Sequence, residues 1–191
     1  MTVTLRASLP VELIGRRASL RLITMADWPV EVALSAQPDV VRWTRYPPGL
    51  DEAGARARIE VRLRGAAAGT GGRYIVRDPA GVVAGNAGIA MNQQQAPEVF
   101  YALLPNGRGR GLATAATCQL TDWALDVGHD VVVLKTIVGN TASEAVARRS
   151  GFTPVSVEPG VIRDLEMQLR RWERRPGDVV TSQVWRAGTL R

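Results

Sequence analysis

The sequence of 191 residues holds one cysteine and one histidine. Cys118, alone, cannot form an internal disulfide, which favours a reducing, cytoplasmic setting. With only His129 and Cys118 there is no nitrogen and sulfur ligand set for a metal. His129 follows a glycine at an expected helix end, where a C-terminal cap or an exposed position suits it better than the role of a base. No hydrophobic run is long enough to cross a bilayer. Residues 1–14 lack the basic and apolar regions of a secretory leader. No repeat recurs at solenoid periods, and no linker marks off a second domain, so a single domain is expected.

Lysine is equally scarce. Lys135 is the only one among 24 basic residues, and the rest are arginine. The net charge is +6. Such a balance attracts acidic partners in general. The arginines are scattered, however, and no aromatics interleave with them, which argues against a nucleic-acid surface. In a chain rich in Ala, Arg, Gly and Val, replacement of Lys by Arg throughout is the simpler reading.

What is present is an ordered alternation of elements. Residues 18–23 alternate as a first strand. Thr24 with Asp27 makes a capping start for a helix carrying Trp28, Val32, Ala33 and Leu34. Tyr46-Pro47-Pro48-Gly49 breaks the chain. A helix over 51–67 follows, then a meander of strands at 73–77, 82–91 and 98–104, the first two joined by the turn Asp78-Pro79-Ala80-Gly81. Residues 112–127 carry an apolar stripe at Leu112, Ala116, Leu120, Trp123, Ala124 and Val127, with period 3.6. The nearly unbroken apolar run 131–138 reads as a strand covered on both faces. The strand–helix–strand order makes it parallel to 98–104. Thr141-Ala142-Ser143-Glu144 reads as a capping box opening a helix that ends at Ser150-Gly151. A strand at 152–157 follows. Residues 161–174 show helical spacing at Ile162, Leu165, Leu169 and Trp172, and 179–185 reads as a last strand.

The segment with most chemistry joins a strand to the long helix: Leu104-Pro105-Asn106-Gly107-Arg108-Gly109-Arg110-Gly111. Glycines let consecutive N–H groups converge, and the following helix adds its unpaired donors and positive dipole end. A pyrophosphate is the natural occupant. A dinucleotide fingerprint fails, because Thr114 stands where its third glycine is required. A P-loop is excluded, since no Gly-Lys-Ser/Thr follows.

Arg108-Gly109-Arg110-Gly111-Leu112-Ala113 resembles the Q/R-x-x-G-x-G/A signature of the GNAT superfamily of N-acetyltransferases. Asn140-Thr141-Ala142-Ser143, followed by Gly151-Phe152, is similar to a second motif of its RimJ/RimL-like branch, the ribosomal-protein N-terminal acetyltransferases. Leu20-Arg21-Leu22-Ile23 with Asp27, and Val41-Arg42-Trp43-Thr44 before the Pro-rich turn, match the same branch. The resemblance runs from about Ser19 to Phe152. It implies an α/β (α+β) fold: a mixed central sheet, flanked by helices, with two parallel strands splayed apart. The expected core is 18–157, with a C-terminal helix and strand in 158–191. A helix there would cover the acceptor or make a homodimer contact.

The resemblance also implies acetyl-CoA as co-substrate and no metal. Its pyrophosphate would meet the backbone of Arg108, Gly109, Arg110, Gly111, Leu112, Ala113 and Thr114. The pantetheine would lie between the strand ends near Leu103 and Val138, and Asn140 would bond the cofactor or acceptor. The acceptor would be a primary amine, a small molecule or a protein N-terminus. Many relatives protonate the departing thiolate with a Tyr whose place here is Ala147. Ser143 is the branch's alternative donor, and Glu98 is placed to take the amine proton. The competing reading is a module that binds acyl-CoA without turnover, as a sensor or scaffold. Neither a membrane nor nucleic acid is an expected partner.

Overall fold

In the computed structural model, which describes residues 3–178, the strands β1 (Glu12–Ile14), β2 (Ser19–Leu22), β3 (Gly71–Arg77), β4 (Val83–Met91), β5 (Pro97–Leu103), β6 (Val132–Ile137), β7 (Thr153–Ile162) and β8 (Leu165–Arg174) form one sheet in the order β1-β2-β3-β4-β5-β6-β8-β7. β1 and β2 make one edge. At the end of β2, Asp27 accepts the Thr24 backbone N–H at 2.7 Å and the Thr24 hydroxyl at 2.9 Å, the expected helix start. α1 (Trp28–Ser35) follows, and then α2 (Pro38–Trp43), a six-residue helix too short to leave a periodic signal. In α3 (Glu52–Ala67), the Asp51 side chain caps the N-terminus by accepting the Gly54 N–H.

β3, β4 and β5 form the antiparallel meander. α4 (Leu112–Asp126) crosses over to β6, which runs parallel to β5. Only two residue pairs join these strands, Glu98 with Val133 and Val99 with Leu134. Beyond them β5 and β6 diverge, as expected of the splayed pair. α5 (Thr141–Arg149) leads into β7 and β8.

The sheet is covered on both faces. On one, Leu20, Tyr74, Val76, Val99, Leu134 and Trp172 pack with Leu112, Ala116 and Leu120 of α4 and with Ala147 of α5. On the other, Ile23 and Ile75 pack with Ile59 of α3. Leu34, Val40, Tyr46 and Ala102 form a neighbouring cluster.

The expected C-terminal helix is not formed. Residues 158–174 belong to the β7–β8 hairpin, whose turn residues Arg163 and Asp164 both have positive φ, 50° and 63°. That geometry matches the right-handed strand twist in two-residue hairpins, although Arg-Asp lacks the usual Asn-Gly signature. The helix-like spacing is fortuitous: Ile162 belongs to β7, Leu165 is exposed, and Leu169 and Trp172 are buried on opposite faces of β8. Trp172 enters the α4 side, whereas Leu169 packs with Ile137 and Ile162 on the other. The expected strand at 179–185 lies outside the described residues. Of the two places expected for His129, a C-terminal cap and an exposed position, the structure shows the cap. The residue is buried, and its Nε2 accepts the Arg6 backbone N–H at 3.2 Å, while its own N–H caps α4 by donating to the Ala124 carbonyl.

Candidate active site

The glycine loop and α4 build an open cradle. Gly109 and Gly111 have φ of +70° and +75°, a left-handed conformation that disfavours any side chain. The first bond inside α4 runs from the Ala115 N–H to the Gly111 carbonyl, so Leu112, Ala113 and Thr114 have no intrahelical acceptor. A Cβ on Gly109 would meet nothing within 4 Å, and one on Gly111 only the tip of Arg17 at 4.0 Å. The space in front of the loop is therefore free for a ligand, and its donors suit a diphosphate.

The loop arginines act mainly as braces. Arg108 pairs with Asp39 at 2.8 Å and donates to the Leu103 carbonyl at 3.0 and 3.1 Å. Arg110 pairs with Asp78 at 2.9 Å and does not line the cavity described next.

A cavity of about 810 Å³ starts at this cradle and passes the gap between β5 and β6. On the α4–α5 side it is lined by Leu103, Arg108, Gly109, Gly111, Leu112, Ala113, Thr114, Asn140 and Ser143. The far side includes Glu98, Phe100, Tyr46 and Arg73. The gap thus connects the two faces of the sheet.

Asn140 is the N-cap of α5, and its Oδ1 accepts the Ser143 N–H at 3.1 Å. Thr141 is instead the first helical residue, and Glu144 pairs with Arg148 and Arg170. The expected capping box at 141–144 is thereby corrected: Asn140 does the capping. Ser143 Oγ lies 2.8 Å from the hydroxyl of Tyr101 on β5. Burial pushes the Tyr101 pKa up to about 12, so the phenol keeps its proton at neutral pH. Ala147 is buried in the core and offers no acid.

Glu98 sits on the face of β5 opposite Tyr101, beside the two pairs that hold β5 to β6. Burial raises its pKa above the ordinary 4.5, and Lys135 opposes that shift. Cys118 is buried and its thiol is pushed up, which leaves it inert as a nucleophile. Among the described residues no group of three or more His, Cys, Asp or Glu is placed to hold a metal. No described helix is long and apolar enough to cross a membrane.

The sequence reading missed the Tyr101 partnership with Ser143. Strand alternation was the available signal, since it sends Tyr101 and Glu98 to opposite faces. It also missed the arginines on the far side of the gap, which come from elements distant in sequence.

A sheet parted between two parallel strands, with backbone donors of a glycine loop at the mouth of the gap, has the shape and the unpaired N–H groups that suit an extended, anion-bearing ligand. The sequence profile described as "Acetyltransferase (GNAT) domain" matches residues 17–153, and the chain belongs to that family of acetyltransferases. Among solved structures it is similar to RimL, the ribosomal L7/L12 alpha-N-protein acetyltransferase in complex with coenzyme A. The TM-score is 0.75 and the identity 20%, over 87% of this chain and 96% of that one. A Salmonella typhimurium acetyltransferase, described as modifying the N-terminal serine of 50S ribosomal subunit protein L7/L12, has TM-score 0.73 and 19% identity over 87% and 97%. The microcin C7 self-immunity acetyltransferase MccE, in complex with acetyl-CoA and AMP, has TM-score 0.78 and 18% identity over 88% and 98%. At these identities the likeness is one of fold. No curated protein matches the sequence significantly.

Proposed function

We propose that the protein transfers the acetyl group of acetyl-CoA directly to a primary amine, on a protein N-terminus or a small molecule. The observation that carries this reading is the single cavity joining the cradle, through the β5–β6 gap, to Glu98. Acetyl-CoA supplies an activated acyl group. The N–H groups of Gly109, Gly111, Leu112, Ala113 and Thr114, which line the cavity, hold its diphosphate, with the dipole of α4 behind them. Peptide groups of β5 beyond Val99, left without β6 partners, suit the pantetheine amides.

Glu98 accepts the proton of the incoming ammonium group, and burial raises its basicity for that task. On the other side of the gap, the hydrogen-bonded hydroxyls of Ser143 and Tyr101 provide an acid for the departing thiolate. Holding both reactants in the gap supplies much of the rate, so no covalent enzyme intermediate is needed. The relatives that carry RimL-type descriptions support a protein N-terminus as one acceptor class.

A thiol-release assay over a panel of amines and peptides with free N-termini tests this. Release that depends on both acetyl-CoA and an amine is expected. Tight binding of acetyl-CoA without release for any amine would replace the enzyme with a sensor.

A further inference from the structure

On the face of the sheet opposite α4, the cavity ends among three guanidinium groups. Arg58 and Arg62 come from α3, and Arg73 from β3. One buried carboxylate, Glu31, faces them. It already accepts from Tyr46 Oη at 2.7 Å, Asn86 Nδ2 at 2.7 Å and Arg58 Nε at 3.3 Å. Among the described residues no carboxylate pairs with Arg62 or Arg73. Arg73 is only 7% exposed; its Nη1 donates to Asn86 Oδ1 at 3.0 Å, and its Nε is buried without an acceptor. Arg62 Nε is likewise buried and unsatisfied. Burial and the neighbouring charges of Arg73 and Arg58 hold Arg62 below its ordinary pKa.

A buried, unpaired guanidinium is costly and is normally matched by an anion. The sheet aims this charge at the reaction side. Arg73, Gly88 and Phe100 stand in one row across β3, β4 and β5. A Cβ on Gly88 would lie 2.4 Å from the Phe100 ring, so only glycine leaves that ring its place. The Arg73 guanidinium stacks on this ring, 4.7 Å from its centroid. Glu98 is two residues from Phe100 on the same face.

We propose that the acceptor amine carries an anionic group, a carboxylate or phosphate, which docks against Arg62 and Arg73, with Arg58 beside them, while the amine reaches Glu98. This rests on reading the cavity as the acyl-transfer site and narrows its substrate class. Arg62 is then an acceptor-binding residue that the fold tolerates rather than needs.

The test uses matched acceptors: phosphoethanolamine against ethanolamine, γ-aminobutyrate against its amide, and free-N-terminus peptides with Asp or Asn at the third position. Wild-type kcat/KM should favour the anionic member of at least one pair by about tenfold or more, as expected when a charge-assisted bond is gained. The favoured pair tells a small amine from a peptide. Arg62→Met should erase the preference while coenzyme A affinity stays the same and Tm stays level or rises. Independently of turnover, with coenzyme A saturating the cradle, the preferred anionic acceptor should raise the Tm of wild type and not of Arg62→Met. Equal use of charged and uncharged acceptors, a preference that survives Arg62→Met, or no anion-dependent shift in Tm would each overturn the proposal. Failure of wild type to bind coenzyme A would instead remove the acetyltransfer reading beneath it.

Discussion

Glu98 can accept a proton only when ionised, and burial makes ionisation harder. The acid limb of the kcat/KM profile should therefore lie above the ordinary glutamate value of 4.5, with activity lost as pH falls through it. Glu98→Gln should lower kcat by about 100-fold and abolish that limb, since a positioned base contributes roughly 10²–10⁴-fold. On the opposite face, Ser143→Ala and Tyr101→Phe should each lower kcat more than they change the KM for acetyl-CoA. Because the two hydroxyls share one hydrogen bond, the double variant should be little worse than the poorer single one. Steady-state kinetics of the three variants check this, and additive losses would separate the two residues.

Among the elements, the strand–cradle–helix unit was legible because each part has a local cause. The apolar period of 112–127 marks α4, and Gly109 and Gly111 sit where φ is positive. Gly111→Ala should cost about 1–2 kcal/mol of stability, the penalty for a Cβ in the left-handed region, measurable by denaturant unfolding. The β7–β8 hairpin was not legible. Leu169 and Trp172 lie on opposite faces of one strand, and with Ile162 of β7 and the exposed Leu165 their spacing imitates a helix only by coincidence. Its Arg163-Asp164 turn carries no glycine to announce it. Asp164→Gly should raise the unfolding free energy by up to about 1 kcal/mol, by relieving a positive φ. Asn140 illustrates a subtler limit: the residue order around 140–144 fits two caps, and only the path of the chain selects one.

Across the whole molecule, the cradle was readable because one contiguous segment, 104–114, builds it. The far side of the cavity, the proposed acceptor side, draws on α1, α3, β3, β4 and β5, which only the folded sheet brings together. The N-terminal segment is held in a similar long-range way, with Arg6 bound to His129, to the Gly128 carbonyl and to Asp130. Burial and Arg6 hold the His129 pKa below 6.5, so the unfolded chain binds the proton more readily. Stability contributed by neutral His129 is present above pH 6.5 and is lost as pH falls below it. Melting curves between pH 7.5 and 5.5 should show that decline, and His129→Gln should flatten it.

In the proposed reaction, backbone amides at the start of α4 grip the diphosphate of coenzyme A. Calorimetric titration of coenzyme A into wild type and Gly111→Glu, with circular dichroism to verify folding, tests it most directly. One molecule should bind per wild-type chain, and a folded Gly111→Glu should bind none, because bulk and negative charge enter the cradle. Equal affinity in the two proteins would place the diphosphate away from α4, and no binding to wild type would remove coenzyme A from the cavity altogether.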